Sequence, residues 1–274
     1  SEDRGNSWKS ISNNLPERGS VYSIEEDHVD NNLIFCGTEF GVFFSPDKGD
    51  RWKKLGNGLP TISVRDIAVQ RRESDLVLGT FGRGFYVMDD YSPLRNIENS
   101  NIESKAEIYP IRDALMWEKA LPLGLPGKAF QGDQFYSADN LDPVAIISYY
   151  YSDSYKSIKD KRQKKEKEQI KSEQDAPYPS YDDLYAELNE EKPNLIFTIK
   201  NSSGKVVKKE FKKPSKGLQR FHWNLRYEDN SPISLSSSSF YNPFAGVSEG
   251  TLVNPGKYTV ELDLYNEGSI TNLV

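Results

Sequence analysis

Cysteine and histidine are nearly absent from this chain. Its 274 residues include one cysteine, Cys36, and two histidines, His28 and His222. A single cysteine excludes an intrachain disulfide, and a buried thiol is the expected state of Cys36. The two histidines are far apart in sequence, and no Cys/His spacing is that of a metal site. We therefore expect neither a metal centre nor a Ser/His/Asp or Cys/His nucleophilic site.

Long apolar runs and an excess of positive charge are also missing. The sequence contains no run of about 18 apolar residues, so no transmembrane segment is predicted. The formal net charge is −6, which gives no whole-chain electrostatic reason to bind nucleic acid. The Gly82-x-Gly84 pair is too short for a phosphate-binding loop and begins no helix, so we expect no cofactor.

Aromatic residues and turn-forming residues are abundant. The chain has 16 Tyr and 13 Phe together with 19 Gly and 15 Pro. Aromatic residues favour strands, and Gly and Pro favour the turns that join them. This composition predicts an all-β fold of short strands.

An eight-residue pattern, Ser-x-Asp-x-Gly-x-x-Trp, occurs twice. Its residues are Ser1, Asp3, Gly5 and Trp8, and then Ser45, Asp47, Gly49 and Trp52. We expect the Asp carboxylate to accept backbone N–H groups two or three residues further on, and the Gly to take a positive φ. The Trp would fold back as a hydrophobic anchor. Asp3 and Asp47 are 44 residues apart, which fits one four-stranded propeller blade.

A second repeated unit supports this period. Residues 33–38 and 76–80 each form an apolar run that ends in Gly-Thr, followed after a short turn by another apolar run. Residues 1–92 are therefore predicted to be the last two or so blades of a β-propeller. Because propellers commonly need about four to eight blades, we expect the other blades upstream of Ser1 in the parent protein. The absence of an initiator Met, with the chain opening inside a motif, supports the same expectation.

Seven segments carry a resemblance to a known family. They are GTFGRGFYVMDD at 79–90, SPLR at 92–95, IYP at 108–110, RDA at 112–114, AIISYY at 145–150, GLQRFHWNLRY at 217–227 and PGKYTV at 255–260. Together with the two Ser-x-Asp-x-Gly-x-x-Trp segments, which are known as Asp boxes, they resemble sortilin-like BNR-repeat proteins, whose bacterial members are often labelled "glycosyl hydrolase, BNR repeat". The resemblance implies a large exported propeller protein with an immunoglobulin-like tail domain, secreted, periplasmic or on the cell surface. With the Lys-, Asn- and Ser-rich composition, it suggests a Bacteroidetes-like source.

The second half of the chain has the pattern of a β-sandwich. Strands are predicted at 144–151, 195–200, 205–211, 218–226 and 257–265. Alternation of apolar and polar residues over 220–226 indicates one buried and one polar face. We predict a connector at 93–143 and an immunoglobulin-like sandwich over 144–274. The Asn201 to Gly204 turn would place Gly204 in the left-handed region.

A charged insertion at about 153–191 interrupts this sandwich. Residues 156–173 contain eight Lys and Arg, and we interpret them as a solvated helix or arm; a basic contact patch for an acidic partner or lipid head group is the alternative. Residues 181–190 are predicted to be a helix that lies on the sandwich. Its docking face would comprise Tyr181, Leu184, Tyr185 and Leu188. Residues 234–244 are predicted to be a long loop with an aromatic cluster that either packs locally or forms a contact surface.

Five charged residues are candidates for a glycosidase-like site on the blades: Glu39, Arg65, Asp66, Glu73 and Arg83. A retaining glycosidase needs two carboxylates about 5 Å apart, whereas a sialidase uses Tyr and an arginine cluster gathered from several blades. Two blades cannot supply such a set, and no Arg-Ile-Pro signature is present. Glu39 and Arg83 occupy equivalent turns and are the predicted ligand-binding residues; each is otherwise a solvated turn residue.

Three hypotheses about function follow. The leading one is a non-catalytic interaction module whose propeller face binds a protein, peptide or glycan. The second is a sialidase-like glycoside hydrolase whose active site lies mainly in upstream blades. The third is an accessory subunit of a cell-envelope assembly.

Overall fold

The computed structural model describes residues 1, 3–56, 58–97, 105–117, 142–232 and 249–274. It divides into two compact units, Ser1–Asn101 and Ile102–Val274. Both units are built mainly from antiparallel β-sheet, in agreement with the predicted all-β fold. The described residues form no closed propeller.

The first unit begins with a four-stranded sheet, which we call sheet 1. Its strands are β1 (Val21–Glu26), β2 (Ile34–Thr38), β3 (Gly41–Ser45) and β4 (Lys53–Leu55). They pair in sequence order as an antiparallel meander. Thr38 and Gly41 are paired at the tight turn between β2 and β3, where Gly41 has a φ of 125°.

Sheet 2 has three strands, β5 (Val64–Gln70), β6 (Asp75–Thr80) and β7 (Phe85–Met88), also in sequence order. A 3-10 helix, Ser92–Asn96, follows β7 and buries its Leu94. The described part of sheet 2 thus repeats the first three strands of sheet 1.

One face of sheet 1 packs on sheet 2. Phe35 meets the ring of Tyr91 edge-on, with 5.0 Å between centroids. Gly37 lies on the same face as Phe35 and stands against Val64 of β5. The other face carries Cys36, which forms a buried cluster with Trp52 and the segment that follows the first Ser-x-Asp-x-Gly-x-x-Trp turn. Sheet 1 is therefore covered on both sides.

The described residues of the second unit form seven strands. They are β8 (Ala106–Ile108), β9 (Ala145–Tyr151), β10 (Asn194–Asn201), β11 (Val206–Lys212), β12 (Gly217–Trp223), β13 (Tyr258–Asn266) and β14 (Ser269–Asn272). One sheet has the order β12-β9-β8, and the other has the order β11-β10-β13-β14. All pairings are antiparallel.

The two sheets of this unit share one core. Phe197 of β10 lies between Tyr149 of β9 and Phe221 of β12, with ring centroids 4.7 and 4.5 Å apart. The five strands predicted here are all found, with ends shifted by at most a few residues. Strands β8 and β14 were not predicted, and β8 comes from the region predicted to be a connector. Gly204 has the expected left-handed conformation, with a φ of 77°.

The insertion forms two helices, α1 (Ile158–Lys171) and α2 (Tyr181–Leu188). Each begins with a reciprocal capping box, formed by Ser157 with Asp160 in α1 and by Ser180 with Asp183 in α2. Helix α1 buries no residue, as expected for a solvated helix.

The prediction that α2 lies on the sandwich is wrong. Tyr181, Tyr185 and Leu188 are exposed, and Leu184 is only half-buried. Leu184 and Glu187 are the residues of α2 that are not exposed, and Glu187 is bound by Arg162 of α1. No helix in the described ranges is both long and apolar enough to cross a membrane. The predicted 234–244 loop lies outside the described residues.

Candidate functional site

The two Ser-x-Asp-x-Gly-x-x-Trp segments adopt the same turn. Asp3 Oδ1 accepts the Ser7 amide at 2.9 Å, and Asp47 Oδ1 accepts the Arg51 amide at 2.8 Å. In both turns the amide that donates to the Asp carboxylate is four residues further along the chain. The prediction that it would be two or three residues further along was wrong. Hydrogen bonds from Ser7 and Ser1 lower the pKa of Asp3 to about 2, so this carboxylate is ionised at neutral pH.

The serine and glycine positions also match between the two turns. Ser1 Oγ accepts the Gly5 amide, and Ser45 Oγ accepts the Gly49 amide, both at 2.7 Å. The predicted positive φ is found at both glycines, 89° at Gly5 and 91° at Gly49. Two equal turns 44 residues apart in sequence indicate one repeated structural unit.

The tryptophans of the two turns differ in environment. Trp52 is 4% exposed and packs against Cys36 and Phe43, and its indole N–H donates to the Ile11 carbonyl oxygen at 2.7 Å. Trp8 is 82% exposed. The difference follows from what precedes each turn: the second turn has β2, β3 and the Ile11 segment to pack on.

The two predicted ligand-binding residues lie in equivalent turns. Glu39 is in the β2–β3 turn and Arg83 is in the β6–β7 turn, and both side chains are exposed. In each turn a threonine closes the loop: Thr38 Oγ1 donates to the Gly41 carbonyl at 3.0 Å and Thr80 Oγ1 to the Gly84 carbonyl at 2.7 Å. Because Gly37 of β2 contacts the start of β5, both turns are at the same end of the two sheets. We call this the turn end.

Of the other three candidates, Arg65 is also at the turn end. Its guanidinium carbon lies 3.8 Å from the centroid of the Tyr22 ring and 5.2 Å from that of Phe81, so both rings stabilise its charge. Asp66 accepts the amide of the next residue. Glu73 pairs with Arg72 in the β5–β6 turn, at the opposite end of sheet 2.

The five candidates therefore do not form one site. Glu73 is excluded by its position, and Arg65 is held by aromatic rings. Among the described residues, no group of three or more His, Cys, Asp or Glu side chains is arranged to hold a metal ion. What the turn end offers is the exposed side chains of Glu39, Arg83 and Phe81.

Sequence reasoning missed a buried ionic cluster in the first unit. The carboxylate of Asp27, which is 2% exposed, binds the guanidinium of Arg95 through Nε at 2.7 Å and Nη2 at 2.9 Å. It also accepts the Tyr91 hydroxyl and the Asp30 amide. His28 Nδ1 lies 3.3 Å from the same carboxylate. The cluster ties the β1–β2 turn to the 3-10 helix after sheet 2.

The protonation states in this cluster are set by its contacts. Burial opposes ionisation of Asp27, but the hydrogen bonds from Arg95 and Tyr91 outweigh it and hold its pKa well below the usual range. Burial and the Asp27 carboxylate raise the pKa of Tyr91, so the phenol stays protonated and donates. A satisfied buried carboxylate of this kind stabilises the fold and offers no free group for catalysis.

Sheet 2 carries an open apolar face. Val77 of β6 pairs with Ala68 of β5 on one side and with Val87 of β7 on the other. Gly79, two residues after Val77 and therefore on the same face, pairs with Phe85. Phe85 is 80% exposed and Val87 is 56% exposed. Residues of the other face, such as Leu76 and Leu78, are buried.

Gly37 and Gly79 occupy corresponding places in the two sheets, each just before the Thr that ends its strand. A Cβ at Gly37 would lie 2.4 Å from Ser23 Oγ of its own sheet and 2.8 Å from the Val64 carbonyl oxygen of the neighbouring sheet. A Cβ at Gly79 would meet Asp66 of its own sheet at 3.4 Å as its nearest neighbour. Sheet 2 covers the Gly37 face of sheet 1, whereas the corresponding Gly79 face of sheet 2 is exposed. We call this surface, formed by Ala68, Val77, Gly79, Phe85 and Val87, the open sheet face.

No protein-family model, no curated protein and no solved structure matches this chain.

Proposed function

We propose that this chain is a non-catalytic interaction module of an exported bacterial protein, and that its first 92 residues are two blades of a β-propeller. The open sheet face is the observation that carries the proposal. Its Gly79 corresponds to Gly37, which lies on the surface through which sheet 1 receives sheet 2. The natural occupant of this surface is another sheet of the same repeat, contributed by upstream blades of the parent protein.

The energetics of the open face support this occupant. Burying a large apolar side chain stabilises a protein by about 1.5–3 kcal/mol, and both Phe85 and Val87 are largely exposed. Repeat sheets bury their faces only against neighbouring repeats. Trp8, at the start of the repeat, is exposed as well.

In this proposal the turn end is the ligand surface. Glu39 and Arg83 extend from equivalent turns of adjacent blades, and Phe81 adds an exposed ring. Turns at one end of a rigid sheet stack are a common location for binding residues. A protein, peptide or glycan with polar groups and an apolar patch would fit this surface.

Hydroxyl-radical footprinting tests the proposed blades. We expect Trp8 and Phe85 to be modified rapidly in the 274-residue chain and to be protected in a polypeptide that also includes the sequence encoded ahead of Ser1. Phe211, an exposed ring of the second unit, is the matched control and should react equally in both forms. Equal modification of Trp8 and Phe85 in the two forms would contradict the proposal.

The non-catalytic part of the proposal has a separate test. The longer polypeptide should show no turnover of a panel of aryl glycosides and sialosides. Hydrolysis that is abolished by Glu39→Gln or Arg83→Ala would overturn it and favour the sialidase-like alternative.

A further inference from the structure

The second Ser-x-Asp-x-Gly-x-x-Trp turn is covered by the stretch of chain that follows the first one. We call residues 45–52 the second turn and residues 11–14 the covering segment. The Ile11 side chain stands so close to Gly49 that a Cβ added there would lie 2.7 Å from Ile11 Cβ. The Ile11 carbonyl oxygen accepts the indole N–H of Trp52 at 2.7 Å. One residue of the covering segment therefore contacts both the glycine and the tryptophan of the turn.

Two asparagines of the covering segment bind the backbone of the second turn. Asn13 Nδ2 donates to the carbonyl oxygens of Gly49 at 3.0 Å and of Asp50 at 3.1 Å. Asn14 pairs with the Trp52 backbone in both directions: its Oδ1 accepts the amide at 2.7 Å, and its Nδ2 donates to the carbonyl oxygen at 2.9 Å. A side-chain amide can do this because it carries both a donor and an acceptor. The covering segment thus recognises the turn by its backbone as well as by its tryptophan.

The first turn, residues 1–8, has the same internal hydrogen bonds but no such cover. Apart from the chain neighbours of Gly5, only Trp8 among the described residues comes within 4 Å of a Cβ added at Gly5, at 3.9 Å. Trp8 is 82% exposed, whereas Trp52 is 4% exposed. The surface that the covering segment occupies on the second turn is therefore bare on the first.

The covering segment is itself part of the repeat. Residues 8–16, WKSISNNLP, and residues 52–60, WKKLGNGLP, share Trp, Lys, Asn, Leu and Pro at identical spacing, with an apolar residue at the fourth position of each. Their offset of 44 residues equals the offset between the two turns. Each turn is thus followed by a segment of the kind that covers the turn of the next repeat, as expected when repeats contact only their neighbours.

The second copy of this segment lacks one contact residue. Gly58 stands at the position that corresponds to Asn14. No Ser-x-Asp-x-Gly-x-x-Trp pattern occurs after residue 60, so the second copy has no third turn to cover. The asparagine that pairs with the tryptophan backbone is therefore present in the copy that covers a turn and absent from the other. This difference supports a role of Asn14 in recognising the turn.

We propose that the first turn is the binding site of an extended segment with the pattern apolar-x-Asn-Asn-Leu-Pro, contributed by the repeat that precedes Ser1 in the parent protein, an origin that rests on the proposed function. The apolar residue packs on Gly5, and its carbonyl oxygen accepts the Trp8 indole N–H. The first asparagine binds the carbonyl oxygens of Gly5 and Asn6, and the second pairs with the Trp8 backbone. Each of these contacts is the counterpart of one that the covering segment makes with the second turn.

A synthetic peptide of residues 9–17, KSISNNLPE with blocked ends, tests the site on the 274-residue chain. The indole N–H signal of Trp8 in a ¹H–¹⁵N NMR spectrum, assigned from its loss in Trp8→Phe, reports binding. We expect a saturable shift of this signal with a dissociation constant of about 1 mM or below, because the entropy of ordering a flexible peptide offsets part of its contacts. The Trp52 signal should not move, because its indole is already bonded within the chain.

Two variants of the peptide test the contacts of its side chains. Asn14→Ala should weaken binding by about tenfold or more, because it removes both hydrogen bonds to the tryptophan backbone. Ser12→Ala is the matched control and should change the affinity by less than about twofold, because the Ser12 hydroxyl bonds to Ser10 and not to the turn.

Two variants of the chain test the receptor side. Trp8→Ala should weaken binding by about tenfold or more, read from the Gly5 amide signal, because the peptide loses both the indole N–H and the ring surface. Phe85→Ala removes another exposed ring, on the open sheet face, and should leave the affinity unchanged. Both side chains are exposed, so both variants should keep the fold.

The outcomes separate this site from the proposed blades. The absence of a Trp8 shift up to about 5 mM peptide would overturn the proposal, and so would equal affinities of the parent peptide and its Asn14→Ala form. Peptide binding without protection of Trp8 in the longer polypeptide would refute the upstream origin of the segment. Failure of the peptide to bind, with Phe85 protected in the longer polypeptide, would refute the covered turn alone and leave the proposed blades in place.

Discussion

Removal of the Asp27 carboxylate should selectively destabilise the first unit. In the structure Asp27 accepts two hydrogen bonds from Arg95, one from the Tyr91 hydroxyl and one each from the Val29 and Asp30 amides. In Asp27→Ala the Arg95 guanidinium, whose side chain is 18% exposed, would lose its only ion-pair partner among the described residues. Breaking a buried pair from one side costs about 3–5 kcal/mol, and we expect a loss in that range.

The coupling between the two residues gives a sharper test than either single loss. Arg95→Met should cost a similar free energy, because it leaves the carboxylate buried and unpaired. The double variant Asp27→Ala, Arg95→Met should lose clearly less than the sum of the single losses, since neither charge then remains without its partner. Differential scanning calorimetry should show the loss in the transition of the first unit and not in that of the second. Hydrogen exchange of β1 and β5 peptides assigns the transitions.

The pH dependence follows from the direction of the pKa shift. The pKa of Asp27 is lower in the folded than in the unfolded chain, so its contribution is fully present above the unfolded value of about 4. It is lost as the pH falls below that value toward the folded pKa. The stability gap between the parent chain and Asp27→Ala should therefore narrow as the pH falls below about 4. A single-variant loss under about 1 kcal/mol, or strict additivity in the double variant, would refute the reasoning.

Three further predictions concern single positions. Trp52→Ala should destabilise the first unit by about 3–5 kcal/mol because its indole is buried and donates to a backbone carbonyl. Trp8→Ala, at an exposed indole, should change stability by less than about 0.5 kcal/mol. Denaturant unfolding measures both. Burial raises the pKa of the Cys36 thiol to about 11, so a thiol reagent at pH 8 should label it only after denaturation, and rapid labelling of the native chain would contradict the burial. Gly204→Ala should lower the free energy of unfolding by about 1 kcal/mol because the φ of Gly204 is 77°. Gly256→Ala, at an open turn without positive φ, should leave it unchanged, and denaturant unfolding measures both.

Local patterns in the sequence were sufficient to predict most strands. Over 220–226 the alternation of apolar and polar residues correctly identified Phe221, Trp223 and Leu225 as buried. A strand has a side-chain period of two, so its faces can be assigned without knowledge of its partner. Strand β8 was missed because its three residues are too few to show any period.

Contacts between distant residues could not be predicted in this way. Asp27 and Arg95 are 68 residues apart, and no motif marks Asp27 as the partner of a buried arginine. The orientation of α2 was mispredicted for the same reason. Of the four residues predicted to form its docking face, Tyr181, Tyr185 and Leu188 are exposed and Leu184 is half-buried, and the pairing of Glu187 with Arg162 depends on the path of the chain between the two helices.

Two glycine substitutions distinguish a covered sheet face from an open one. In Gly37→Ala the new methyl group would lie 2.4 Å from Ser23 Oγ of its own sheet, a side chain that can rotate, and 2.8 Å from the Val64 carbonyl oxygen of sheet 2, which is backbone. The two sheets must therefore shift apart locally, and overpacking of this kind costs about 1–3 kcal/mol. In Gly79→Ala the nearest atom is at 3.4 Å and the backbone needs no positive φ, so the 274-residue chain should be unaffected or stabilised by about 0.4–1 kcal/mol. If a further sheet covers the open sheet face in the longer polypeptide, Gly79→Ala should destabilise that form as Gly37→Ala does. Tolerance of Gly79→Ala in both forms would mean that nothing packs against this face as sheet 2 packs against sheet 1.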